Sequence, residues 1–292
     1  MATPFDEDGA VDLEGAVRLA RTLVATGSDG LVLTGSTGEV PTLSDEERLS
    51  LWRVVGEAVT VPVLAGSTSN DTAHSVELTR AAARLPDAGI LAVTPYYNRP
   101  PQSGLDAHFR AIAAASALPV VLYDIPVRTG RKIHSATILR LAREVPNIVG
   151  LKDAAGDPAT TARLLAEAPA GFECYVGDDA LTLPLLAVGA VGLIGVATHW
   201  AAPEFGEMIA RFLDGERAGP LEIQRALLAS MAFETGDDAP NPIPVKAMLR
   251  VMGLPAGQCR LPLGPAPEGL EERAKAVLAD LDQWRSRRAN RG

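Results

Sequence analysis

Only four of the 27 basic residues are lysine, at positions 132, 152, 246 and 275, so this chain uses arginine almost wherever a plain positive charge is enough. A lysine kept inside an apolar run then points to what a guanidinium does not supply, an amine that can lose its proton. Lys152 is such a residue, following Ile148, Val149, Gly150 and Leu151. Desolvation in a strand disfavours the ammonium and moves a lysine toward the range where its free amine attacks a ketone and forms a Schiff base. The bland alternative is a lysine paired with the adjoining Asp153 or reaching out to water. The company of Lys152 favours the chemistry. Making and dismantling a carbinolamine requires protons to be delivered and removed, and the hydroxyls of Tyr123, Ser36 and Tyr97 relay them without adding a competing charge.

These residues sit at the ends of a repeated element. Seven β-rich apolar runs begin at Gly30, Val61, Gly89, Leu118, Ile148, Phe172 and Gly189, and a helix-like stretch follows each. Their starts mostly lie about 30 residues apart, the length of a strand–helix–strand unit. The runs are continuous rather than alternating, as strands buried on both faces of a parallel sheet must be. The pattern predicts a (β/α)8 barrel over residues 1–215, its first strand shortened because only Ala2, Thr3, Pro4 and Phe5 are available for one before Val11. Beyond about residue 215 strand signals stop. Stretches 221–233, 243–252 and 268–285 read as helices, giving a C-terminal helical domain over 216–292. Residues 44–59 predict a helix opened by Ser44 with Glu47 three positions on.

In such a barrel the C-terminal strand ends face the active site. Those ends carry Ser36, Thr37 and Glu39; Tyr96, Tyr97 and Asn98; Tyr123, Asp124 and Arg128; Lys152 and Asp153; Asp178 and Asp179. The competing chemistries lack their parts. Ser36 has no G-x-S-x-G elbow, and neither G-x-G-x-x-G nor G-x-x-x-x-G-K-[ST] occurs. His74, His108, His134 and His199 are scattered with no two at metal spacing, so no metal is expected, and no cofactor. The Asp178–Asp179 pair opens a helix, where capping is the simpler role. Gly189, Gly192 and Gly195 occupy positions where many barrels hold phosphate, but close helix packing accounts for them.

Composition narrows the setting. At 292 residues, 47% hydrophobic and 22% charged, the chain has ample material for a large core. Its two cysteines, Cys174 and Cys259, exclude a disulfide framework, a zinc ribbon and an iron–sulfur site, and fit a cytoplasmic protein. A net charge of −9 argues against nucleic acid and anionic membrane as partners. The longest stretch without polar side chains, 183–197, is shorter than the roughly 20 residues of a membrane span. The start, MATPFDEDGA, is acidic where a signal peptide is basic.

Taken in order, GSTGE, TPYYNRPPQ, LYDIPVRTG, IVGLKDAAG, GDDAL, GLIGVA, NPIPVK and CRLPLGP resemble the dihydrodipicolinate synthase family from about Thr3 to Pro265. The wider superfamily of pyruvate-dependent aldolases shares the lysine, the first tyrosine and the GxTGE loop; Arg128 and NPIPVK resemble the synthase branch. The resemblance implies a barrel with a helical C-terminal domain, commonly a homotetramer of two tight dimers. It implies that Lys152 condenses with pyruvate, that Tyr123 moves protons at the imine, and that Ser36 links Tyr123 to Tyr97 of the neighbouring subunit. Thr37 would hold the pyruvate carboxylate, Arg128 the carboxylate of aspartate semialdehyde, and Gly177 and Ile194 would offer backbone carbonyls near the amine. A planar guanidinium fork suits the role given to Arg128. Ser36 stands where the synthase more usually has threonine, and Asp124 where asparagine is common. Arg48, Asn70, His74 and Tyr96 only partly match the pattern of lysine-inhibited members. Two other readings stay open: a pyruvate-dependent aldolase acting on a sugar acid or other keto acid, and a catalytically silent keto-acid sensor.

Overall fold

The computed structural model describes residues 1–85 and 88–290, and among these the seven apolar runs are seven strands. They are β1 (Leu31–Leu33), β2 (Val63–Ala65), β3 (Ala88–Val93), β4 (Val120–Asp124), β5 (Ile148–Asp153), β6 (Glu173–Val176) and β7 (Gly192–Leu193). One sheet holds them in chain order, each pair of neighbours parallel. A parallel pair needs a crossover, and helices such as Gln102–Ala114, Ser135–Glu144 and Pro158–Glu167 provide it. Local chemistry sets where these start: Asp157 accepts from the Thr160 amide at 3.0 Å, and Pro158 fills the first helical position, where no amide is needed. Between β5 and β6 the backbones approach so closely that a Cβ on Gly150 would lie 2.6 Å from the Glu173 carbonyl oxygen. Glycine is required there. One face of the sheet gathers Leu91, Val121, Tyr123 and Ile125 with Val32, Leu64, Val93 and Val149 around them.

The chain divides into two compact units. The sheet unit comprises Gly30–Leu33 and Thr60–Gly195. The other comprises Met1–Asp29, Thr34–Val59 and Val196–Gly292 and is helical. In it the expected helix at 44–59 spans Asp45–Gly56, closed at its start by a reciprocal capping box: the Glu47 amide donates to the Ser44 hydroxyl at 3.2 Å, and the Ser44 amide to the Glu47 carboxylate at 2.9 Å. The C-terminal stretches expected to be helical form Ala218–Ala226, Leu228–Phe233, Ile243–Val251 and Leu270–Ala289. Ile243 and Ala247 of the third and Leu270 of the fourth share one core with Ala239 and Cys259, and Phe233 packs against it. No described helix is long and apolar enough to cross a membrane.

The segment before Val11 does not become a strand of the sheet among the described residues. Phe5 instead makes an isolated antiparallel bridge with Val11. Asp6 closes that hairpin, its carboxylate accepting from the amides of Asp8 and Ala10, while the Phe5 amide donates to Ala256. The short segment thus satisfies its backbone within the helical unit, and Pro4 has no amide to donate to a ladder.

Candidate active site

The sheet unit places Lys152 beside Tyr123. They are cross-strand partners on β5 and β4, in a row that continues to Val93 on one side and Tyr175 on the other. Register at this level points their side chains to one face. The Lys152 amine lies 4.3 Å from the centre of the buried Tyr123 ring, and Lys152 itself is half-buried. Every other lysine is answered by a carboxylate: Lys132 by Asp124 at 3.5 Å, Lys246 by Glu39 at 2.5 Å and Lys275 by Glu272 at 3.9 Å. Among the described residues Lys152 has no such partner. Asp153, the obvious candidate, is occupied elsewhere, accepting from the Thr161 hydroxyl at 2.5 Å and the Ala155 amide at 2.9 Å. Gly177, after β6, leaves room for the lysine stem. A Cβ there would stand 3.0 Å from the Lys152 Cε and 2.9 Å from the Ala154 Cβ. Ile194 continues β7, its amide donating to the Val176 carbonyl at 2.9 Å. Asp178 accepts from the Ala180 amide at 3.1 Å, which is the capping role expected of it.

On the opposite face of the same strands, Asp124 and Asp153 are register partners as well. Asp124 is buried; its carboxylate accepts from the Ile133 amide at 3.1 Å and faces Lys132. Burial outweighs both contacts and pushes its carboxyl up to about 6.

Two loops carry the other expected residues of this unit. Tyr97 is 90% exposed and adopts a φ of +72°, while Arg99 has a φ of +47°. A bulky aromatic in that region is a backbone outlier, costing on the order of 1–3 kcal/mol. Its neighbours hold it there: the Asn98 side chain donates to the Asn70 carbonyl at 2.9 Å, and Arg131 donates to the Arg99 carbonyl at 3.0 Å. Arg128 is exposed on the single turn Pro126–Thr129 that follows β4.

Ser36 and Thr37 belong to the helical unit, in the loop that leaves β1. Thr34 and Glu39 bracket them with φ of +52° and +57°. Side chains distant in sequence clamp this strained loop. Trp52 donates to the Thr34 hydroxyl at 2.8 Å, the Thr3 hydroxyl to the Gly38 carbonyl at 2.7 Å, and the Asn241 amide to the Thr37 hydroxyl at 3.0 Å. Glu39 is wholly buried against Lys246 and also accepts from the Arg260 amide at 2.9 Å. The Lys246 amine lies 3.9 Å from the Phe5 ring centre, and the Arg260 guanidinium 4.3 Å from the same ring. Burial pushes the Lys246 amine down, against the pull of Glu39, and pushes the neighbouring Cys259 thiol up to about 12. Sequence reasoning missed the roles of Lys246, Arg260 and Asn241. The scarcity of lysine singled out Lys246 as much as Lys152, yet nothing in spacing pairs it with Glu39.

His108 and His199 are buried, and desolvation pushes them down to about 4 and about 3. No group of three or more potential metal ligands is assembled among the described residues.

Residues 1–281 match the dihydrodipicolinate synthetase family. The chain belongs to that family. It is 51% identical over 282 residues to the 4-hydroxy-tetrahydrodipicolinate synthase of Symbiobacterium thermophilum, covering 96% of this chain and 95% of that one. With the enzyme of the same name from Bacillus subtilis it shares 42% identity over 285 residues, 96% and 97% of the two chains. Among solved structures, the synthase of Cyanidioschyzon merolae with lysine bound is similar with a TM-score of 0.93 and 41% identity, covering 97% of this chain and 96% of that one. The synthase of Bacillus anthracis gives 0.90 and 40%, over 96% and 95%.

Proposed function

We propose that the chain condenses pyruvate with L-aspartate 4-semialdehyde through an imine on Lys152, forming 4-hydroxy-tetrahydrodipicolinate on the route to diaminopimelate and lysine. The observation that carries this reading is Lys152 itself: the lysine with no carboxylate partner among the described residues, set 4.3 Å from the Tyr123 ring. Its amine, unlike those of Lys132, Lys246 and Lys275, is committed to no ion pair among the described residues, and so stands available to a ketone. It attacks the pyruvate ketone, the carbinolamine loses water, and the imine then gives up a methyl proton to become an enamine. The enamine carbon bonds to the aldehyde of the second substrate. That substrate's own amine then displaces Lys152, closing the ring and returning the free lysine.

Tyr123 delivers and removes these protons, with Ser36 passing them on to Tyr97 of a neighbouring subunit. The exposure and strained backbone of Tyr97 support work across an interface, in a dimer that pairs into a tetramer. Thr37 takes the pyruvate carboxylate, Arg128 the semialdehyde carboxylate, and the carbonyls of Gly177 and Ile194 face the amine. The seven parallel strands in chain order support closure into a (β/α)8 barrel over residues 1–215, followed by a helical domain over 216–292. Two free, buried cysteines support a cytoplasmic setting.

A pyruvate-dependent aldolase acting on a sugar acid is the alternative, and Arg128 speaks against it, because the aldehyde half of a sugar acid has no carboxylate for a guanidinium fork. A substrate panel decides. Purified protein given pyruvate and aspartate semialdehyde, coupled to reduction of the cyclic product, is expected to turn over; cleavage of sialic or deoxy sugar acids with no turnover of the semialdehyde would replace the synthase by the aldolase.

A further inference from the structure

The loop carrying Thr37 is tied to the start of helix Ile243–Val251 at two points. Asn241 meets Thr37, and Lys246, five residues on, meets Glu39, two residues on. Both partners of the first contact are fixed by the second. Asn241 is buried, and its backbone amide is held by the Thr235 hydroxyl at 3.3 Å.

A threonine hydroxyl has one proton to give and lone pairs that accept. The Asn241 side-chain amide donates to the Thr37 oxygen at 3.0 Å, which uses the accepting side and leaves the proton aimed elsewhere. Among the described residues no acceptor takes that proton. We propose that Asn241 is a positioning residue: it commits the Thr37 hydroxyl to donating, and thereby sets the affinity for the substrate carboxylate. This rests on the reading of Thr37 as the pyruvate-carboxylate residue. An asparagine does this work and an aspartate does the opposite, because an ionised carboxylate only accepts. It would take the Thr37 proton and set a negative charge beside an incoming anion.

The test ranks two substitutions. Pyruvate dependence is measured as KM in the coupled assay and as the half-saturating concentration for borohydride trapping at pH 8. Asn241→Ala is expected to raise both by about 3- to 10-fold, the range of one lost neutral hydrogen bond. Asn241→Asp, nearly the same shape, is expected to raise them at least about tenfold further, since a charged acceptor binds the hydroxyl proton strongly. The KM for aspartate semialdehyde should move less than about twofold. A packing role predicts the reverse order, with aspartate better tolerated than alanine. In a Thr37→Val background the gap between the two Asn241 variants should shrink to what the aspartate's charge alone costs. Thr37→Val alone leaves Asn241 intact and must raise the pyruvate KM at least as much as Asn241→Ala does.

An aspartate variant that binds pyruvate as well as the alanine variant overturns the inference, as does a gap between the two that is undiminished in the Thr37→Val background, or a Thr37→Val enzyme with normal pyruvate affinity. Absence of any pyruvate-dependent trapping in the unsubstituted protein would instead overturn the functional reading beneath it.

Discussion

Replacing Lys246 by methionine isolates the clamp on the Ser36–Thr37 loop. Methionine keeps most of the stem volume and deletes the ammonium, leaving Glu39, whose side chain is 0% exposed, without its cation at 2.5 Å. The substitution also removes the donation to the Gln258 carbonyl at 3.0 Å and the contact with the Phe5 ring. What remains for Glu39 is the Arg260 backbone amide at 2.9 Å and the Cys259 thiol, a weak donor. Breaking a buried ion pair from one side costs roughly 3–5 kcal/mol, because the abandoned charge keeps its desolvation penalty. At roughly 2–4 °C per kcal/mol for a chain of this class, the thermal midpoint should fall by about 10 °C. Removing both charges, as Lys246→Met with Glu39→Gln, should recover part of the loss, since a neutral pair carries no ionic desolvation cost. The assay is thermal and urea unfolding of the three proteins, with the pyruvate KM measured on each. The reasoning is refuted if Lys246→Met costs less than about 1 kcal/mol, or if the double variant is no more stable than the single one.

Tyr123→Phe should leave pyruvate binding nearly intact and lower turnover by about 10²- to 10⁴-fold, the range of a lost proton-transfer group; near-normal turnover would make Tyr123 a packing aromatic. Arg128→Ala should raise the KM for aspartate semialdehyde by about 10- to 150-fold with trapping by pyruvate unchanged, and lysine should rescue it only partly because a point charge does not reproduce the fork. For Asp124 the folded chain holds its proton up to about 6 while its ordinary value is 3.8, so the stability it lends is full below that ordinary value and drains away as pH rises through 6. That interval is worth roughly 3 kcal/mol, so Asp124→Asn should match the unsubstituted protein at pH 4 and exceed it in thermal midpoint at pH 8; a stability difference independent of pH would contradict the assignment.

How much of this was legible in the sequence follows from how local each signal is. The strands could be read because runs such as IVGLKD stay apolar over their whole length, and β5 spans that run, Ile148–Asp153. The helix at Asp45–Gly56 could be read because its capping box lies within four residues. Lys152 beside Tyr123 followed from one further step, that adjacent parallel strands end at the same level. The segment around Phe5 read differently, as a shortened strand, because nothing within it reveals that its amide bonds to Ala256 and its ring receives Lys246 and Arg260. The same limit hid Asn241 and Lys246. Their partners, Thr37 and Glu39, are about 200 residues away, and a contact of that span leaves no periodic trace.

The central claim is that Lys152 is the amine that meets pyruvate, and reductive trapping tests it directly. Protein incubated with pyruvate and borohydride, then digested and mapped by mass spectrometry, should carry a stable secondary amine on Lys152, with loss of activity in proportion, and Lys152→Arg should carry none because a guanidinium stays protonated. Modification at Lys132 or Lys246 instead, or activity undiminished by trapping, would contradict the account.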